Sequence, residues 1–302
     1  MQKILLILFV TTISVNSIFA CLNGSNLELT DGTLIYAEHE ISVPKGHRFS
    51  NFARYPDLIK KFERDYKTTN NLDYLSDKGL LLILLNQYEE AIKLYLEIEK
   101  LEPNRYSTAS NIGTAYELLG KNEEALDWIK KSVEIDSTSH KNSEWIHVKI
   151  LEAKLKGEAF YNTNFILNTD FGLDILPSSK LSNDELQNLH DALFFQLHER
   201  MSFVEAPEKI VAQLLFDNGN IAFLLNHYSD AAENYQQAKS YGYSDQLLKD
   251  RLTEVEKKLK PTPQSQITVV KQSFNLQYGF YIAGIILLVI LFMQIYRRKR
   301  KK

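Results

Sequence analysis

Two copies of one 34-residue unit lie end to end between positions 72 and 139. Gly79 and Gly113 are 34 apart, and so are Ala91 and Ala125. Around them NQYEEAIKLYLEIEKLEPN (86–104) aligns with GKNEEALDWIKKSVEIDST (120–138). A fixed period of this length means one structural unit repeated, each copy leaving an apolar face that only a stacked neighbour can bury.

The unit resembles the tetratricopeptide repeat, whose small residues recur at these places. The resemblance implies an all-α fold, a right-handed superhelical solenoid of helical hairpins, with a concave face made by the first helix of each. In copy one, helix A is expected over 73–85 and helix B over 88–101, with Gly79 and Ala91 small where the two backbones approach. Leu75, Leu82, Tyr95 and Ile98 supply the bulk, and Pro103 stops helix B. Copy two carries Ala109, Ile112, Gly113, Tyr116, Ala125 and Ile129 at the matching places, with Ser137 where copy one has its proline.

A third copy is read at 212–245 from Leu215, Gly219, Ala222, Ala231, Tyr235 and Ala238. Gly219 and Ala231 are 12 apart, as are Gly79 and Ala91. Ala125 and Ala231 are 106 apart, three periods plus four, so one distorted hairpin is expected between them. Residues 141–160 read as its helix A, with Trp145, Ile146, Ile150, Leu151 and Leu155 on the apolar side. Segment 161–180 reads as an ordered insertion, because its Asn, Asp, Gly and Pro are mixed with Phe165, Ile166, Leu167, Phe171, Leu173 and Ile175. Ser182 with Glu185 forms a capping box for a helix to about Phe203. Pro207 opens another helix, and 246–259 reads as an amphipathic cap. The repeat domain thus spans 57–259, its front covered by a helix over 57–70.

The two ends predict location. Residues 1–20 read as a signal peptide, from Lys3, the apolar run 4–10 and Ala20 before Cys21. Cys21 stands where a lipoprotein cysteine would, but Phe19 departs from that pattern, and ordinary cleavage is the preferred reading. As the lone cysteine it allows no intramolecular disulfide. After a 260–277 linker, 278–296 is a 19-residue uncharged stretch, long enough as a helix to cross a bilayer. RRKRKK (297–302) follows as a basic cytoplasmic tail. These ends predict one C-terminal transmembrane helix and a single-pass protein of the cell membrane with its repeats on the periplasmic side; the leucine-, isoleucine- and lysine-rich leader suggests a bacterial envelope.

Charge narrows the partner. Setting aside Lys3 and the tail, 28 basic residues face 38 acidic ones, a net of −10. That argues against nucleic acid, which asks for a basic stripe. No catalytic constellation is found, no cofactor is implied, and no metal is expected: His47 has no partner at ligand spacing, His198-Glu199 lacks a second histidine four residues on, and His190 and His198 pair without a third ligand. Within the irregular arm 21–56, residues 33–43 read as a short strand or an extended segment, and 44–56, with His47, Arg48 and Arg54, are expected to pack on the first hairpin with their charges in water.

The resemblance implies a protein or peptide partner on the concave face. That face would offer Asp73, Ser76, Asp77, Leu80 and Ile83 from copy one, and Ser107, Ser110, Asn111, Thr114 and Glu117 from copy two. Ser76 and Leu80 occupy the places where family members that clamp a terminal carboxylate carry polar side chains, which counts against that mode. The expected function is a non-enzymatic scaffold or adaptor for a basic or neutral partner. The alternative is an envelope enzyme, or a sensor, with the array supporting a site in the arm or in 161–180.

Overall fold

The computed structural model describes residues 26–38 and 41–260. The chain divides into a unit ending at Leu259 and another from Lys260 to Lys302, and all described helices and strands belong to the first. The predicted signal peptide, span and basic tail lie outside the described residues. Among the described residues no helix is long and apolar enough to cross a membrane.

The first unit opens on a two-stranded antiparallel hairpin, β1 (Asn26–Glu28) and β2 (Leu34–Ala37), turned at Asp31-Gly32 with Gly32 in the left-handed region. Among the described residues twelve α-helices follow: α1 (Tyr55–Thr69), α2 (Asp73–Leu84), α3 (Tyr88–Leu101), α4 (Tyr106–Leu118), α5 (Asn122–Ile135), the short α6 (Ser139–Asn142), α7 (Glu144–Lys156), α8 (Thr163–Leu167), α9 (Asn183–Arg200), α10 (Lys209–Leu224), α11 (Tyr228–Ser240) and α12 (Gln246–Leu259). The all-helical expectation therefore holds apart from one small hairpin.

Three pairs repeat one geometry: α2 with α3, α4 with α5, and α10 with α11. In each, helix A ends on a left-handed residue, Asn86, Gly120 or Asn226. The amide after it closes on the carbonyl five residues back: Gln87 on Leu82 at 2.8 Å, Lys121 on Tyr116 at 2.9 Å, and His227 on Ala222 at 2.8 Å. This caps the orphan carbonyls at the helix end and turns the chain. Ala91, Ala125 and Ala231 are wholly buried, as expected. The glycines depart in part from the expectation. A Cβ on Gly79 would meet the Tyr95 ring at 2.4 Å, one on Gly113 the Ile129 side chain at 2.5 Å, and one on Gly219 the Tyr235 ring at 2.5 Å. Each glycine receives a large side chain from helix B, one turn beyond the alanine, and at Gly113 the Ile129 backbone nitrogen also comes to 3.2 Å, the backbone approach that was expected.

The Tyr235 ring is wholly buried and its hydroxyl donates to Asn220 Oδ1 at 2.8 Å, so it has no room to swing aside. Gly219→Ala gains about 1 kcal/mol of helix propensity but overpacks the contact at a cost of ~3 kcal/mol. A net loss of about 2 kcal/mol is expected in denaturant melts; a more stable variant would contradict the packing account.

Between the second and third hairpins the period breaks. α7 packs on α5 and buries Ile146, Ile150 and Leu151, but Trp145 and Leu155, expected on the same face, are exposed. Ala159, 34 residues after Ala125, is also exposed, because no second helix forms there. The chain instead makes α8 and a loop before α9, which packs against α6, α7 and α10. The capping box at Ser182 and Glu185 is present. α9 ends at Arg200, earlier than expected, and α10 starts at Lys209 after a cis Ala206-Pro207 bond.

The insertion is ordered, though its apolar residues explain only part of that. Ile166, Leu167 and Phe171 are buried, whereas Leu173 and Ile175 are exposed. The rest of the hold comes from α12. The Arg251 guanidinium, 1% exposed, donates to the carbonyls of Phe171 (3.0 Å), Gly172 (2.7 Å) and Asp174 (2.9 Å) and to Asn220 Oδ1 (2.7 Å).

Beside it, α10 buries Asp217 completely; the carboxyl takes bonds from Thr163 Oγ1 at 2.8 Å and Gln213 Nε2 at 3.1 Å. Burial pushes its pKa up to about 7, against those two bonds and the more distant Arg251. The folded state therefore binds a proton that the unfolded chain releases near pH 4. Its contribution is fully present below that pH and is lost as pH rises through about 7. Asp217→Asn, with the Gln213 amide turned over, removes this slope. The variant should match the parent at pH 4 and exceed it at pH 8 by about 4 kcal/mol in denaturant melts. Parallel stability curves for the two proteins would refute the assignment.

Candidate functional site

The face expected to receive a partner is largely occupied by the chain itself. Ser76, Asp77, Leu80, Ile83, Ser107, Ser110 and Asn111 are all buried. On the first repeat, the Thr30 amide of the arm donates to Asp77 Oδ2 at 2.7 Å, and burial pushes that carboxyl up to about 6. Asp73 accepts from Arg105 Nη2 at 2.5 Å. The turn after α9 brings Phe203 into the apolar clusters that hold Leu80 and Ile83. Asn111 Nδ2 donates to the Tyr95 hydroxyl, which in turn donates to the Ser76 carbonyl.

What stays open is a pocket of about 250 Å³ whose walls include Ser110, Thr114 and Glu117 of α4, His140 of α6, Glu144, His147 and Lys154 of α7, and Gln196, Glu199 and Arg200 of α9. Three of the ten predicted face residues thus meet in one place, joined by residues from the distorted part of the array.

Glu117 is the hub. Its Oε1 accepts from Lys154 Nζ at 2.6 Å and Arg200 Nη1 at 2.7 Å; its Oε2 accepts from Arg200 Nη2 at 3.1 Å and bonds His147 Nε2 at 2.7 Å. Burial by itself would raise this carboxyl, but Arg200, His147 and Lys154 outweigh it and hold it well below the usual range. Burial works against the charged form of His147 as well, yet Glu117 on one nitrogen and Glu144 on the other raise its pKa. Glu144 also meets His140 Nδ1 in a short contact. Glu117, expected to make the face acidic, is therefore neutralised inside the fold, and a preference for basic partners has no support from it.

A second cluster sits where the arm meets α9. Glu38 Oε2 is 3.1 Å from His47 Nδ1 and 3.0 Å from His198 Nε2, and His47 Nε2 is 2.9 Å from Glu199 Oε1. Lys45, Arg48 and Arg54 of the arm are exposed, as expected, but His47 is not in water: its side chain is 3% exposed and stacks on Tyr36 at 4.1 Å. Burial, with His198 alongside, pulls the His47 imidazolium down to about 4 in spite of Glu38. Burial pushes the Glu199 carboxyl well up, and the charges of Glu144 and Glu38 add to that. The neutral pair, with the Glu199 carboxyl donating to His47, follows. Glu38 collects bonds from both rings and from the Arg48 amide, and these outweigh its burial to hold it low.

This corrects the expectation that His47 has no partner. Its partners are 9 and 152 residues away. His190 and His198 do not share a site: His190 lies beside His227, with ring centroids 6.4 Å apart, while His198 faces the arm. One spacing in the sequence did point to the pocket: Glu144 and His147, three apart, share one side of α7, while His140 reaches them from left-handed backbone before that helix starts.

Comparison with known proteins bears on the repeats alone. The tetratricopeptide repeat model matches residues 72–105 and 107–139. No curated protein matches the chain. Among solved structures, a thermophilic tetratricopeptide-repeat protein of Thermus thermophilus shares 14% identity over 68% of this chain and 91% of that one, at a TM-score of 0.34. A tetratricopeptide repeat protein from Parabacteroides merdae shares 15% identity over 68% of this chain and 78% of that one, at a TM-score of 0.33. Such repeats generally mediate protein–protein interaction, and the chain carries two of them by sequence, at 72–105 and 107–139.

Proposed function

We propose that the protein is a membrane-anchored, extracytoplasmic scaffold or adaptor that takes a protein or peptide partner at the pocket between α4, α7 and α9. The observation that carries this reading is the pocket itself, built on the inner side of the second repeat at Ser110, Thr114 and Glu117, with only a cavity of about 40 Å³ beside it at Leu80, Ile83 and Asn111. With Glu117 engaged by Arg200, His147 and Lys154, the pocket offers both signs of charge and suits a polar partner group rather than a strongly basic one. Anchoring and location rest on the sequence at 1–20 and 278–302, with the repeat domain outside and the basic tail inside.

Photo-crosslinking in intact cells tests the partner site. A crosslinking amino acid at Thr114 is expected to trap a discrete partner, and the same group at the exposed Lys93 of α3 is expected to trap none. Equal products from both positions, or none from Thr114, would remove the pocket from the proposal. Protease added to spheroplasts should digest the repeat domain; digestion only after lysis would reverse the topology.

A further inference from the structure

We propose that Glu38, His47 and His198 form a binding site for a divalent transition metal, with zinc the ion that best suits its donors, and that the metal staples the arm to α9. One ligand atom from each residue lies within 4.8 Å of the other two. Two imidazole nitrogens and a carboxylate oxygen are the borderline donors that zinc prefers. At zinc–ligand lengths of about 2.0–2.2 Å, tetrahedral geometry sets neighbouring donors ~3.3 Å apart. Here Glu38 Oε2 already stands 3.1 Å from His47 Nδ1 and 3.0 Å from His198 Nε2, so those two pairs have only to open by a few tenths of an ångström, while the two imidazole nitrogens stand within 4.8 Å of each other.

The surroundings fix the donors in place. His47 presents its other nitrogen to Glu199 at 2.9 Å; with metal on Nδ1, the proton that Glu199 holds in the metal-free form passes to Nε2, and the contact becomes the carboxylate–histidine–metal arrangement that orients a ligand ring and raises its basicity. Tyr36 stacks on the His47 ring, and Phe194 lies parallel to the His198 ring with an interplanar angle of 10°. The Arg48 amide holds the other Glu38 oxygen at 2.9 Å. One contact must yield on loading. The Lys45 amide points at His198 Nδ1 at 3.2 Å, the longest bond of the cluster, and Nδ1 carries the proton once Nε2 binds metal. Three protein ligands leave a fourth position for water. The staple would close a loop of 160 residues between Glu38 and His198, which is where a metal clip constrains the unfolded chain most.

The rival account is a plain hydrogen-bonded latch, and metal chemistry separates the two. The full chain, purified in detergent and stripped with chelator, is dialysed against micromolar zinc and its metal content measured. About one zinc per chain is expected, with a melting temperature raised by several degrees and lowered again by chelator. Cobalt(II) should give visible d–d bands without a thiolate charge-transfer band, and Cys21→Ser should bind as well as the parent. Glu38→Gln, which keeps size but replaces one accepting oxygen by an NH2 donor, and His198→Ala should each lose the zinc. Should a variant fail to fold, the cobalt spectrum of the parent still decides. A parent chain that retains no zinc and shows no cobalt bands overturns the proposal, as does undiminished binding by folded Glu38→Gln.

Discussion

Glu117→Gln is expected to destabilise the protein by about 4 kcal/mol or more, because it leaves charges buried without a counter-charge. The substitution keeps shape and removes one negative charge that faces Arg200, His147 and Lys154 at 2.6–3.1 Å. Arg200 cannot shed its proton, and burial already opposes its charge. His147 keeps only Glu144 at 3.8 Å, so its raised pKa should fall. The pH dependence has a definite sign. Glu117 is held well below 4.5, so its contribution is present above the unfolded carboxyl pKa and is lost as the parent is acidified through the folded value. The variant lacks that acid limb. Denaturant melts from pH 3 to 8 should show the gap widest near neutrality and closing toward pH 3. A uniform gap, or none, would mean that the pocket's charges are solvated and that the partner site is more open than described.

Arg251→Met should cost about 4 kcal/mol for a different reason. The side chain it replaces is buried with no carboxylate bonded to it; its acceptors are three backbone carbonyls and the Asn220 amide oxygen. Methionine fills much of the volume and takes the donor from the Gly172 and Asp174 carbonyls, at about 1–3 kcal/mol each where burial persists, while the Phe171 carbonyl keeps the Ser178 amide at 3.0 Å. The carbonyls of Gly172 and Asp174 can relax toward water by releasing the loop; Asn220 Oδ1 cannot leave the core and keeps only the Tyr235 hydroxyl. The damage should therefore be local as well as global. Hydrogen exchange across 170–178 should rise well beyond that of α2 to α5, and a protease should nick the loop. Arg251→Lys is expected to restore little, since one ammonium cannot reach acceptors set at separate edges of the planar guanidinium. Unchanged exchange in the loop would mean that Phe171 and its apolar neighbours hold it unaided.

Much of the fold was legible because it is periodic. Gly79, Ala91, Gly113, Ala125, Gly219 and Ala231 mark helix contacts whose partners lie within one repeat, so spacing along the chain translates into spacing in space. Even there the contact itself was misassigned in part: the glycines make room for Tyr95, Ile129 and Tyr235. The cap α12 and the box at Ser182 were legible for the same reason, since each depends on neighbours in sequence. The break after α7 was not. Ala159 kept the period, yet Gly157 and the turn that follows it end the helix before a second one can start.

By itself the sequence determined the helical hairpins, their number of clear copies and the small residues that let them pack, because these follow from side-chain size at short separations. Only the tertiary structure decided what became of the inner face. The arm and the end of α9 return across many tens of residues to cover it, bringing Glu38 and His47 to His198, and Glu117 to Arg200. No local pattern encodes such meetings. They are fixed by where the distorted hairpin turns the chain, and by the need of each buried charge for an opposite charge or a hydrogen-bond partner within reach.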